Sequence, residues 1–202
     1  TGLASLIEER DTVSNTDVFG NRVGSGRFFG GREFEIVSGG ASGDMASLLA
    51  VQDLIATATY ALPSFSDGGG PVPRTGGRGR IVGTPPLTPE QKASLASLYC
   101  ALMVAECLAA LGSKHDIIVD GPFSRNLVFL QVLAQLRQGQ RVLASDLRDG
   151  TTAGAACLAL GMVRQAGTLA EVRGPAPLEV GPRVCRAAIA AIPRAVQREE
   201  SG

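Results

Sequence analysis

The chain has 202 residues, 45% of them apolar and 19% charged, which is the balance of a globular protein and excludes disorder as a description of the whole chain. Lys plus Arg and Asp plus Glu stand at 19 each, so the basic excess that binding to a phosphate backbone requires is missing and no nucleic-acid partner is expected. The lysines, Lys92 and Lys114, follow Gln91 and Ser113, and His115 is the single histidine, so the sequence has neither a Gly-Lys-Ser/Thr phosphate loop nor a multi-histidine zinc site.

Thr1 to Arg10 has no basic segment leading into an apolar one, so no signal peptide is expected. From Thr16 to Val37 the text is β-like. Gly20-Asn21 suits a two-residue type II′ turn between Thr16-Asp-Val-Phe and Arg22-Val, and Glu33-Phe34-Glu35-Ile36 alternates as a half-buried strand does. A helix follows, capped by Asp44, carrying Leu48, Val51, Gln52 and Ile55 on one face and ended by Pro63. Ser66 to Arg80 gathers glycines, prolines and three arginines and reads as a mobile surface loop, with phosphate or a partner carboxylate as the other use of its charge.

Thr88-Pro89-Glu90-Gln91 has the form of a helix start: a threonine cap, proline in the first turn and Gln91 placed to return the capping bond. Leu95, Leu98, Tyr99, Leu102, Ala105 and Ala109 continue an apolar face to Gly112, predicting a long, mostly buried helix. Its most apolar run, Ala93 to Ala105, falls short of the ~20 residues of a bilayer span, so no membrane crossing is expected.

Asp116 to Asp120 is then a β-branched run, Gly121 to Asn126 a turn, Leu127 to Leu136 helical in spacing and Arg141 to Ser145 a second strand. This is a β-α-β unit, whose ligands bind beyond the carboxyl ends of its parallel strands, where helix N-termini also suit an anion. Thr151 to Cys157 opens the next helix with small side chains, and the proline-rich text from Gly174 predicts a frayed end. Cys100, Cys107, Cys157 and Cys185 form no C-x-x-C pair and read as reduced thiols of a cytoplasmic protein.

Isolated motifs carry little. Gly24-Ser-Gly26 with Gly30 lacks the strand before and helix after that a dinucleotide fingerprint needs, and there is no Gly-x-Ser-x-Gly elbow. His115 reads as a solvated turn residue. Asp120 is the best-placed carboxylate, either capping its own turn or holding a metal or a water.

Several segments together resemble a family. Asp116-Ile-Ile-Val-Asp-Gly-Pro-Phe-Ser-Arg-Asn126, the helix with Phe129-Leu130-Gln131, the strand Val142-Leu-Ala-Ser-Asp146 and Gly150-Thr-Thr-Ala-Gly-Ala-Ala156 are similar in order and spacing to the C-terminal half of FGGY carbohydrate kinases. Asn15-Thr-Asp-Val-Phe-Gly20 and Arg27-Phe-Phe-Gly-Gly-Arg-Glu-Phe34 resemble one subgroup of that family, and the likeness extends from about Asp11 to about Gly161.

The resemblance implies an α/β fold, an actin-like ATPase lobe of the hexokinase/Hsp70 type, with a mixed sheet that is antiparallel at its N-terminal end, a parallel β-α-β part and flanking helices. It implies that residues 1–202 are the nucleotide-binding lobe, and that the N-terminal lobe, with its sugar site and catalytic aspartate, is absent from this chain. The activity it implies is transfer of the ATP γ-phosphoryl group to a sugar hydroxyl, usually of a ketose, with Mg2+. The glycine turn that lies against the nucleotide falls on Gly121, Pro122, Phe123 and Ser124, and the asparagine that closes it on Asn126. Pro122 and Phe123 stand where the family carries its second and third glycines, and the Phe123 ring offers a surface for the base. The expected partners are the sugar, reached through the other lobe, and a homo-oligomer. One lobe alone is expected to be inactive, and the alternative is a non-catalytic actin-like module that binds nucleotide or only its partner lobe.

Overall fold

The computed structural model of the chain describes residues 6–145, 147 and 150–161. Cys185 and the proline-rich stretch from Gly174 lie outside them, as do Thr1-Gly2 and Asp146.

A single helix, α3 (Pro89–Ala110), organises the rest, and its start follows from four adjacent residues. The Thr88 hydroxyl accepts from the Gln91 amide at 3.2 Å and the Gln91 side chain accepts from the Thr88 amide at 2.9 Å, the reciprocal capping expected above. From Ala93 to Met103 every residue of the helix is buried, and α1 (Gly30–Ser38), α2 (Leu48–Ala56) and α4 (Leu127–Leu136) all pack on it. By length and apolarity α3 passes for a membrane span, but 78% of that apolar window is buried within the fold, as befits a core helix.

Strands pair as three separate two-stranded ladders, so the antiparallel and parallel parts are both present without joining into one sheet among the described residues. β1 (Thr12–Thr16) and β2 (Arg22–Gly26) form an antiparallel hairpin with Thr12 opposite Gly26 and Thr16 opposite Arg22. The hairpin is as expected, but its connection is Asp17 to Asn21, not a two-residue Gly20-Asn21 turn. The reason is the Asp17 carboxylate, which accepts from the Phe19 amide at 2.9 Å, the Asn21 amide at 2.8 Å and the Asn21 side chain at 3.0 Å. β3 (Tyr60–Leu62) and β4 (Arg80–Val82) are antiparallel, and β5 (Ile117–Val119) and β6 (Val142–Ala144) are parallel across α4, which establishes the β-α-β unit. Asp116 and Arg141, paired through the guanidinium, tie the starts of β5 and β6.

Two expectations are overturned here. Residues 33–36 belong to α1 rather than to a strand: Glu33, Val37 and Ser38 are buried while Glu35 and Ile36 are exposed, a helical spacing that places a carboxylate on the inner face. Glu33 is wholly buried, and its oxygens accept from the Phe65 amide at 3.0 Å, the Ser66 amide at 2.9 Å, the Ser66 hydroxyl and the Tyr99 hydroxyl at 2.6 Å. Four donors from two distant segments select the helix over the alternation. The loop 66–80, in turn, is not merely a solvated connection. Ser66, Pro71 and Thr75 are buried, Ser64 and Thr75 bond through backbone and hydroxyls, and the Gly70 amide donates to Asp11 at 3.2 Å.

Smaller differences have local causes. α2 is capped by Ser47, whose hydroxyl accepts from the Ala50 amide at 3.1 Å, while Asp44 lies in a preceding 3-10 turn, Gly43–Met45. α2 ends at Ala56, well before Pro63, because Ala58 takes a left-handed conformation at φ 51 and β3 follows. Its buried residues are Ala50, Val51 and Leu54, and Gln52 is exposed.

Replacing Glu33 by Ala should lower stability by about 3–5 kcal/mol, because it leaves buried donors from two segments unpaired. Tyr99→Phe, which removes one donor, should lower it by about 1–2 kcal/mol. Urea midpoints of the two variants check this, and a Glu33→Ala midpoint equal to that of the parent would show that the carboxylate holds nothing together.

The hydrogen bonds from Asn21, its side-chain amide first, hold the Asp17 carboxyl below its ordinary value of 3.8. A depressed pKa stabilises the folded hairpin above the unfolded value, and this contribution is lost as pH falls through the folded one. An NMR titration of the Phe19 and Asn21 amides should therefore give a midpoint below 3.8.

Burial pushes the Cys107 thiol up to about 11 and moves Cys100 in the same direction, so both remain protonated at neutral pH. Cys157 is half-buried on α5 (Gly150–Ala159). Alkylation at pH 8 followed by peptide mass spectrometry should find Cys157 labelled well before Cys100 and Cys107.

Candidate functional site

β5 runs out at Asp120, and the chain reverses through a 3-10 turn, Gly121–Arg125, directly into α4. Gly121 makes the reversal at φ +73, in the left-handed region that side chains avoid. Pro122 sits in the first part of the turn, where its missing N–H costs nothing. Asn126 then caps α4: its Oδ1 accepts from the Phe129 amide at 2.9 Å. Its Nδ2 donates to the Ser97 hydroxyl on α3 at 2.9 Å, and the residue is buried.

Beside this turn lies a cavity of about 390 Å³. One wall is Pro122, Phe123, Arg125 and Asn126; the facing wall is Gly31 and Phe34 of α1 with Ser42, Gly43 and Asp44 of the segment after it. Phe123 stands edge-on to Phe34 with ring centroids 5.8 Å apart and is backed by Phe129 at 4.7 Å. The walls meet at Gly43, where a Cβ would fall 2.9 Å from Asn126 Nδ2 and 3.5 Å from the Phe34 ring, so any side chain would force them apart.

Of the residues singled out from the sequence, Pro122, Phe123 and Asn126 line this cavity, while Gly121 and Ser124 shape the turn outside its wall. Both polar ends of Asn126 are engaged within the fold, so it closes the turn and fixes the wall. Asp120 does not cap its own turn. Its carboxylate lies against Gly150 at the start of α5, where a Cβ would collide with it, so the protein's own negative charge occupies that helix N-terminus. His115 is an exposed turn residue whose carbonyl accepts from Gln140. Gly31, Phe34, Ser42, Gly43, Asp44 and Arg125 were not anticipated as lining residues. Gly31 and Phe34 are three apart and share a face only in a helix, so the strand reading of this segment concealed them.

A long core helix, an antiparallel hairpin and a parallel β-α-β unit whose turn opens onto a cavity define the class: this is an α/β, actin-like ATPase lobe. The chain belongs to the FGGY carbohydrate kinases, as their C-terminal domain; the model of "Carbohydrate kinase FGGY, C-terminal domain" matches residues 1–168. Among solved structures, a carbohydrate kinase from Novosphingobium aromaticivorans is similar with a TM-score of 0.76 and 28% sequence identity, over 93% of this chain and 42% of that one. The chain thus spans less than half the length of that kinase. No curated protein matches the chain.

Gly121 has nothing within 4 Å of where a Cβ would stand, so a substitution there acts through the backbone and not by filling the site. Gly121→Val should lower stability by about 1–2 kcal/mol, while Gly121→Asn, which tolerates the left-handed region, should cost clearly less. Thermal unfolding of the pair checks this, and equal losses would show that φ is not what requires glycine.

Proposed function

We propose that residues 1–202 are the nucleotide-binding lobe of an ATP-dependent sugar kinase that phosphorylates a hydroxyl of a ketose. The observation that carries this reading is the cavity of about 390 Å³ at the carboxyl end of parallel β5, in a chain belonging to a carbohydrate kinase family. It has the size and lining of a small-molecule site, with apolar walls and a few polar groups. The base lies against Phe34, Phe123 and Pro122, and the phosphates run out past Arg125.

Phosphoryl transfer needs positioning and charge stabilisation from both sides of the reacting atoms, and ATP supplies the transferred group. This lobe holds the donor; an N-terminal lobe supplies the sugar site and the general base. Magnesium in such a site is held largely by the nucleotide phosphates with one or two carboxylates, so this reading asks for no cluster of protein ligands. Pro122 and Phe123, standing where the family has glycine, favour a second reading: a module that binds nucleotide or its partner lobe without catalysis.

Gly31 lines the cavity, lies on a helix and has open space where its Cβ would be, so Gly31→Leu fills the site without backbone strain. Calorimetry with ADP should show binding by the parent chain and a loss of tenfold or more in Gly31→Leu, since about 1.4 kcal/mol corresponds to each factor of ten. A coupled assay over a ketose panel should find turnover when the chain is joined to its N-terminal lobe and none for the chain alone. Nucleotide binding without turnover in the joined protein would select the second reading, and unchanged affinity in Gly31→Leu would remove the cavity from the site.

A further inference from the structure

The cavity wall carries two charged side chains, Asp44 and Arg125, both exposed and neither with a hydrogen-bond or ion-pair partner among the described residues. The side-chain amide in the wall, that of Asn126, is spent on Phe129 and Ser97. The Asp44 amide, by contrast, is held by the Ser42 hydroxyl at 3.3 Å, which fixes the backbone from which the carboxylate projects. Besides the Ser42 hydroxyl, which can donate as well as accept, a polar ligand in this cavity is therefore met by one acceptor-only side chain, Asp44, and one donor-only side chain, Arg125.

From this division we infer that Asp44 holds the ribose hydroxyls of the bound nucleotide; the inference rests on the nucleotide reading above. A carboxylate accepts and cannot donate, so the ligand must offer it O–H or N–H groups. The two vicinal hydroxyls of a ribose present two donors to the two oxygens of one carboxylate, and such charge-assisted bonds are among the stronger ones. Phosphates are repelled by Asp44 and drawn to Arg125. The flat, largely apolar base is matched to Phe34, Phe123 and Pro122, which leaves the rim carboxylate to the sugar. The ligand class is thus a ribonucleotide, as distinct from a 2′-deoxynucleotide. An acidic side chain serves the same purpose on the ribose in dinucleotide-binding folds.

The test is calorimetric titration of the 202-residue chain with ADP and with 2′-deoxy-ADP. The parent should prefer ADP by on the order of tenfold, the value of one hydrogen bond to a charged group. Asp44→Ala should bind both nucleotides alike, with the ADP affinity fallen to that for the deoxy form. Asp44→Asn, which keeps one acceptor oxygen and the side-chain shape, should retain part of the preference and covers the case in which the alanine variant does not fold. A parent that binds both equally, or an Asp44→Ala variant that still prefers ADP, overturns the assignment and leaves the nucleotide reading intact. A parent that binds neither overturns both.

Discussion

A carboxylate cannot be left unpaired in a protein interior, and Glu33 shows how much structure follows when one is placed there. Its two oxygens offer about four acceptor sites, and four donors fill them: two amides and a hydroxyl from Phe65 and Ser66, and the Tyr99 hydroxyl. Burial and the adjacent carboxylate both raise the Tyr99 pKa, so its proton stays on the hydroxyl and Tyr99 remains a donor. The result fastens α1 to α3 and to the start of the loop 66–80 at one point. Phe28 and Phe65 stand edge-on to the Tyr99 ring at 6.3 and 5.5 Å, closing the surroundings against water.

The same logic recurs along α3. This helix is apolar on nearly every side, yet it carries three buried polar residues, Ser94, Ser97 and Tyr99, and each meets a different neighbour. Ser94 accepts from the Ser47 amide at the start of α2, Ser97 accepts from Asn126 at the start of α4, and Tyr99 donates to Glu33 of α1. Apolar packing alone would allow these helices to slide or rotate by small amounts at little cost. A buried hydrogen bond with a fixed partner does not, since a shift leaves a desolvated group unpaired. Both walls of the cavity are therefore set against one helix, α1 through Tyr99 and the Gly121–Asn126 turn through Ser97.

What could be read from the sequence divides along the range of the interactions responsible. The start of α3 was legible because Thr88 and Gln91 are three residues apart and satisfy each other. The β-α-β unit was legible because its strands, turn and helix follow in immediate succession. α1 was not, since Glu-Phe-Glu-Ile fits a strand when only neighbours are considered. What decides against the strand is Tyr99, 66 residues along the chain, and Ser66, 33 along. The glycine-rich loop failed for a related reason: its composition signals a turn, but it is tied down by carboxylates far away in the chain, Glu33 on Ser66 and Asp11, which reaches Gly70 from 59 positions away. The cavity inherits the first of these errors, because half of its wall comes from α1 and the segment after it.

Pro122 and Phe123, at the positions where the resemblance implies glycines, take on a definite meaning in this setting. A glycine-rich turn lets a ligand approach the backbone closely, at the expense of a mobile wall. Here the single positive-φ position, Gly121, carries out the chain reversal, and Pro122 restricts the residue that follows. Phe123 is not free to swing over a ligand, since its ring is wedged between Phe34 and Phe129 and its edge lies 3.4 Å from where a Gly30 Cβ would stand. Its ring thus joins the two walls of the cavity and contributes shape and apolar surface in place of backbone contacts. Such a wall can recognise a flat group by area and fit while having few hydrogen bonds to give it. Polar discrimination must then come from the rim, where the unpartnered charges stand.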